Sequence, residues 1–336
     1  MIRVLDEGFY SIVVDLGREK FLRFGISPSG AMDEYSFRLG NIFLNNFENT
    51  PQIEITLKGP TLEFLEDKII FLTGGEIEAK LNDEPIPNYE AIFVKKGSIL
   101  SLGYVKEGFR SYLIIQGGVI SEKFLGSASF DKFLNKGIKL KKGEVLKTGS
   151  LFDKEVLKRK FDLFYKIDLN QNIFRVILGP DLERFEKSSI DVFLSKNYKI
   201  TEKSDRVAIR LEGKNLKLKE NMETIISEGV LTGTIQVPKG GEPIILLNDR
   251  PTTGGYPKIG NIIKVDISPL SQKRFSDFIC FKKVSLNEAH NLLKEREEKI
   301  LKFKESLNLI KKFYIILNNK KHFCILEEIR NEENFN

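Results

Sequence analysis

Over roughly the first 280 residues, short runs of Val, Ile, Leu and Phe alternate with Gly, Pro, Asn and Asp. That rhythm predicts strands joined by tight turns, an all-β body. The clearest strand-turn-strand stretches are "IEITLKGPTLEFLEDKIIFLTGG", "AIFVKKGSILSLG" and "FRSYLIIQGGV". Farther on, "EPIILL" reads as a buried strand that runs into the loop "NDRPTTGGYPKIG",. Helical periodicity is confined to three places. "AMDEYSFRLGNIFLNN" carries a mostly helical period after "SPSG", and "LERFEKSSIDVFLS" suits one or two short helical turns. "VSLNEAHNLLKEREEKILKFKESLNLIKKF" is a long amphipathic helix, with Ser285 and Glu288 as a capping box,.

An internal echo suggests how this body is divided. Ser29, Asp33, Arg38 and Leu39 recur as Ser204, Asp205, Arg210 and Leu211, and "GPTLEF" recurs as "GPDLERF". The order of the two echoes differs between the halves, as a duplication with exchanged segments would leave it; short motifs also coincide by chance. The charged, weakly patterned "FDKEVLKRKFDLFYKIDLNQN" marks a boundary. The expectation is a β-domain over 1–150, a second over 151–284, with exchange of segments between them as a variant, and a helix and β-hairpin extension over 285–336.

Length and composition narrow the function. The 336 residues carry 26 Phe and no run of about 18 apolar residues, so a folded chain without a membrane span is expected, with the cytoplasm as default,. Cys280 and Cys324 lack metal-ligand spacing, and His290 and His322 fall in the C-terminal part, which argues against metal-centred or histidine-centred catalysis,. The net charge of +6 is spread among interspersed Lys and Glu, without the basic stripe of a nucleic-acid binder,. Its densest basic run, "KGIKLKKGEVLK", reads as a solvated surface hairpin,. Walker A, kinase, nucleophile-elbow and dinucleotide fingerprints are missing,.

Four polar clusters exceed what turns require. In "GISPSGAMDEYS", Ser29 and Gly30 are placed to open a helix and aim free amides at an anion, with Asp33 in its first turn; plain N-capping is the alternative,. Arg110 precedes the strand of "FRSYLIIQGG" and is a candidate carboxylate clamp, or simply a surface residue,. In "KSDRVAIRLEG", a strand over 207–211 puts Arg206, Ala208 and Arg210 on one face beside Asp205,. Two such cations suit a doubly anionic substrate, and equally an internal salt-bridge network. The fourth cluster joins "SEGVLTGTIQVP" to the glycine loop: Glu228, Gln236, Asp249, Arg250, Thr252, Thr253, Tyr256 and Lys258. With Gly254 and Gly255, which let a ligand approach the backbone, these suit a polar pocket in a barrel mouth; a polar hairpin turn closed by its own threonines is the alternative for the loop.

The ordered motifs "GISPSGAMD", "IEITLKGPTLEF", "LTGGE", "RSYLIIQGG", "SDRVAIRLEG", "SEGVLTGTIQVP" and "DRPTTGGYPKIG" resemble the allophanate hydrolase subunit 2, or biotin-dependent carboxyltransferase-like, family over about residues 3–290. The branch the chain resembles most is that of the C subunits of bacterial 5-oxoprolinase. The resemblance implies two cyclophilin-like β-barrels and a cleft lined by Asp33, Arg110, Asp205, Arg206, Arg210, Gln236, Asp249, Thr252, Thr253 and Tyr256. It departs from the family pattern at Ala128, Ala208 and Pro251, where Arg, Gly and Gln are usual. The tail "KKFYIILNNKKHFCILEEI" resembles the opening strands of a biotinyl carrier, or is a docking hairpin.

The function implied is that of one component of an ATP-dependent 5-oxoprolinase, opening 5-oxoproline to L-glutamate. Asp205, Arg206, Arg210 and Asp249 are then the candidate catalytic residues. Ser29, Asp33, Arg110, Gln236, Arg250, Thr252, Thr253, Gly254, Gly255, Tyr256 and Lys258 are the candidate substrate contacts, for a small carboxylate or amide. ATP with Mg2+ is expected in the assembled complex. The expected partners are a subunit 1 protein, equivalent to the B component of the same system, and a LamB/YcsF-type A component. With methionines only at 1, 32 and 222, the chain has no Met-Lys-Met tripeptide for covalent biotin. The alternatives are a carboxyltransferase fed by carboxybiotin in trans, and a non-catalytic regulatory partner of subunit 1.

Overall fold

The computed structural model describes residues 1–307 and the backbone of 310–317 and 320–327. The chain is mainly β, with two barrels and few helices, as its punctuation predicts. The first barrel is a ten-stranded sheet in which every pairing is antiparallel. Its spine is Ile99–Ile115, a strand long enough to pair with Gln52–Thr56, Thr61–Phe64 and Lys68–Leu81. The stretches that read as separate strands at "SILSLG" and "FRSYLII" are thus one strand, its register with Lys68–Leu81 broken by bulges,. Alternate side chains enclose a core that includes Ile2, Val13, Ile55, Leu72, Leu100 and Leu113,.

The second barrel is closed. Its order is Ile173–Leu178, Lys258–Ile262, Thr234–Gln236, Ile244–Leu246, Ala208–Glu212, Tyr198–Ile200 and Phe278–Lys283. A parallel pairing of Ile173 with Cys280 and its neighbours joins the last strand to the first. Phe174, Phe193, Tyr198 and Phe281 belong to one buried core cluster there. Each sheet draws its strands from one continuous stretch of chain.

Helix α1, Glu34–Phe43, lies on the outer face of the first barrel and buries Phe37, Leu39 and Phe43 there. Helix α2, Lys187–Ser195, follows a single 3-10 turn at Leu182–Arg184 and packs on the last strand of the second barrel. Helix α3 is Lys264–Ser271. Helix α4, Leu286–Ser306, starts with the capping box of Ser285 and Glu288 and returns to the first barrel, where Ile300 and Phe303 join the cluster under α1. The charged boundary segment packs there too: Phe161 and Tyr165 lie 5.3 and 4.9 Å from the Phe303 ring. None of the described helices is long and apolar enough to cross a membrane.

Several local expectations are corrected. The basic run at 136–147 forms no hairpin; only Val145–Thr148 is a strand, and it pairs with Ile2–Asp6 and Val119–Ile120 instead of with its own neighbour. The long helix stops at Ser306, because Ile310–Leu317 pairs with Lys320–Glu327; the end of the tail pattern, at 328–329, lies outside the described residues. The echo is not a structural repeat. Asp33 caps a helix that carries Arg38, whereas Asp205 sits in a turn and Arg210 in a strand. Thr61–Phe64 is a strand, whereas Leu182–Arg184 is a 3-10 turn.

Candidate functional site

The barrels meet over a buried charged junction. Glu54, on Gln52–Thr56, is fully buried and accepts hydrogen bonds from Tyr112 Oη and the Met32 amide, both at 2.8 Å. From the second barrel, Arg206 forms an ion pair with Glu54 Oε1 and a two-pronged one with Asp249 at 2.9 and 3.1 Å. It also donates to the Gly30 carbonyl at 2.8 Å. Arg110 Nε stands 3.8 Å from Glu54. Gln272 ties these parts together: its Oε1 accepts from the Phe109 and Arg110 amides at 2.9 Å, and its Nε2 donates to Asp33 Oδ2 at 2.8 Å. All these side chains are buried, so each charge needs its partner,.

Burial and charge act in opposite directions here. Burial pulls the Arg206 guanidinium down, but facing Asp249 and Glu54 outweighs it and holds the group above its ordinary value. Arg110 is lowered by burial, against the pull of Glu54. Asp33 is raised by burial, with hydrogen bonds from Ser36 and Gln272 opposing. The expectation that Ser29 and Gly30 open a helix is corrected. The helix begins at Glu34 with Asp33 as its cap, Asp33 Oδ1 accepting from Ser36 N at 3.0 Å. The amides of Ser29, Ala31, Met32 and Asp33 are already given to Asn248 O, Asp15 O, Glu54 and Tyr112.

Arg206 and Arg210 do not share a face. The strand begins at Ala208, after Arg206 has turned inward, and the exposed Arg210 lines a surface cavity of about 570 Å³ with Lys199, Lys203, Glu212 and Glu242. Asp205 holds the intervening turn. Its carboxylate accepts from the Val207 and Ala208 amides at 2.8 and 3.1 Å and pairs with Lys132 at 2.7 Å. Of the four candidate catalytic residues, only Arg206 and Asp249 come together.

The glycine loop divides among three places. Asp249 enters the junction. At one end of the second barrel, Thr253–Gly254 pairs with Glu228–Gly229, and Gln236 Nε2 reaches Tyr256 O at 3.4 Å. Gly254 packs tightly here, since a Cβ would lie 2.2 Å from Gln236 Nε2 and the Gln236 side chain would have to shift to admit one. Lys258 closes this cluster by donating to Glu228 at 2.6 Å and pairing with Asp181 at 3.1 Å. Thr252 and Gly255 serve the chain through carbonyls that accept from Val230 N and Ile225 N. The third place is a cavity of about 320 Å³ between the barrels, which Ser29, Asn248 and Arg250 line together.

Glu54, Tyr112 and Gln272 belong to the junction without standing out in the sequence. For Glu54 there is a signal, since a carboxylate sits amid the apolar residues of "QIEIT". Tyr112 reads as an ordinary strand residue, and nothing local distinguishes Gln272.

The carboxyltransferase domain model, subdomain A and B, matches residues 24–283. The chain belongs to this family. It is 36% identical to the C subunit of the Haemophilus influenzae 5-oxoprolinase over 301 residues, which covers 88% of this chain and 96% of that protein. The C subunit of the Escherichia coli 5-oxoprolinase is likewise 36% identical, covering 89% of this chain and 95% of that protein. Among solved structures, the K. lactis urea amidolyase superposes with a TM-score of 0.83 at 30% identity, covering 90% of this carboxyltransferase-family chain but 20% of the larger one. Ala128 and Ala208 are both buried. The Ala128 amide donates to Asp15, and Ala208 packs with Val230 and Leu246.

Proposed function

We propose that this chain is the C subunit of an ATP-dependent 5-oxoprolinase, which opens 5-oxoproline to L-glutamate. The observation that carries this reading is the end-to-end match to proteins of that name, whereas the urea amidolyase is matched over a fifth of its length. In the reaction the lactam C–N bond breaks, and water supplies the oxygen of the new carboxylate. This requires a site that holds a small carboxylate and keeps an amide in place. The Arg206–Glu54–Asp249 junction locks the two barrels in one relative position, and the inter-barrel cavity beside it supplies the space.

The complex would include a subunit 1 protein, as the B component, and a LamB/YcsF-type A component, with Mg2+ and ATP. Among the described residues, no group of three or more His, Cys, Asp or Glu is arranged to hold a metal ion. A second reading, carboxyl transfer from carboxybiotin supplied in trans, is favoured by the superposition on urea amidolyase. The test is 5-oxoproline-dependent ATP hydrolysis by the mixed components, with each omitted in turn. Loss of activity on omitting this chain supports the proposal. An intact complex that ignores 5-oxoproline but decarboxylates carboxybiotin would replace it with the second reading.

A further inference from the structure

Arg250 is 2% exposed, and among the described residues no carboxylate lies within ion-pair distance of it. Its Nε donates to the Val230 carbonyl at 3.2 Å, while its buried Nη1 has no hydrogen-bond partner. The other deeply buried arginines differ in having a carboxylate nearby, although Nε of Arg18 and of Arg110 also makes no hydrogen bond. Arg18 pairs with Asp131 at 3.2 Å, Arg206 has two carboxylates, and Arg110 lies near Glu54. Burial lowers the Arg250 guanidinium to about 10, with Glu19 opposing, so it stays cationic at neutral pH. A buried cation with an idle donor is costly unless something completes it.

Arg250 also lines a cavity, and the walls of that cavity select the chemistry. The cavity of about 320 Å³ falls at the small end of ligand-pocket sizes, which begin near 300 Å³,. Its walls combine Arg250 with the neutral amides of Asn248 and Asn261 and with apolar Met32, Leu231 and Ile267. Of the other cations there, Lys264 and Arg296 each lie 3.6 Å from Glu34, which also lines the cavity, as does Glu19. One uncommitted cation between acidic walls suits a single negative charge and disfavours a polyphosphate. The apolar side suits a short hydrocarbon ring.

We propose that this cavity seats a small monocarboxylate whose carboxylate is anchored by Arg250, and that in the oxoprolinase reading, on which this inference rests, the ligand is 5-oxoproline. The assignment moves recognition away from Arg206 and Arg210, of which the first is committed to the barrel junction and the second lines a different cavity.

The experiment is calorimetric titration of the assembled complex with 5-oxoproline, with its primary carboxamide, and with inorganic phosphate. The wild type is expected to prefer the acid. Arg250→Gln is expected to weaken acid binding about 10- to 100-fold, the worth of a hydrogen bond to a charged group. Carboxamide binding should be unchanged, so discrimination between the two disappears; a merely structural role would weaken both equally. Arg250→Lys, which keeps the charge, should restore part of the preference and keeps the test available if the Gln variant does not fold. Unchanged discrimination in both variants, or phosphate competing as well as 5-oxoproline, would overturn the proposal. If omitting this chain abolishes turnover while Arg250→Gln binds normally, the pocket is wrong and the function stands. If Arg250 governs binding but omission leaves turnover intact, the function falls instead.

Discussion

Arg206→Ala should destabilise the protein before it says anything about catalysis. The side chain is 5% exposed and gives up its ion pairs with Glu54 and Asp249 and its bond to Gly30 O. Glu54 keeps Tyr112 Oη and the Met32 amide. Asp249, 3% exposed, loses its buried cation. Removing one partner of a buried pair costs about 3–5 kcal/mol, a large share of the roughly 5–15 kcal/mol that domains possess. At about 2–4 °C per kcal/mol, the melting temperature should fall by on the order of 10 °C. Because the chain has no Trp, urea unfolding is best followed by circular dichroism and tyrosine fluorescence. Adding Asp249→Asn to Arg206→Ala should recover at least about 1 kcal/mol, since the orphaned charge is then gone. A loss below about 1 kcal/mol for Arg206→Ala, or strict additivity of the pair, would refute the clasp. In an open cleft Arg206 would be replaceable at little cost to the fold, but it is buried,.

Arg210→Ala, by contrast, should change stability by no more than about 0.5 kcal/mol, because the side chain is exposed and ion-pairs with no described residue; denaturant midpoints would check this,. Phe303→Ala should cost about 3–5 kcal/mol by emptying the space beside Phe161 and Tyr165, and an effect under about 1 kcal/mol would mean that α4 is not docked,. Acid should loosen the same helix. Burial pushes Glu48 up, but Lys304 and Arg38 outweigh it and hold it below its ordinary 4.5. Glu297 is likewise raised by burial and lowered further by Arg38. Lowered folded values mean that this stability is present above about pH 4.5 and is lost as pH falls through the folded values,. Hydrogen exchange of α4 amides from near-neutral pH down through the carboxylate range, compared with Glu48→Gln, would show it; equal pH dependence in both would refute it.

The motifs carried much of the site, but not its grouping. Asp33, Arg110, Arg206 and Asp249 were each legible as unusual, because charged residues at the edges of apolar strands are costly and stand out. Their convergence was not legible: Arg206 reaches Glu54 across 152 positions, and Gln272 reaches Asp33 across 239. Local spacing placed Arg206 with Arg210, since a strand starting two residues earlier would have alternated that way. The turn held by Asp205 cancels that alternation.

By itself the sequence determined the strands, the capping box of α4 and the family, because alternation, caps and ordered motifs are local in the chain. Only the tertiary structure decided which polar groups lose water together. It turned Arg206 into a buried clasp, left Arg210 in solvent, and closed Arg250 behind Val230 with a donor unused. Burial and pairing depend on what distant segments bring to the same place, and the cost of an unpaired charge depends on both.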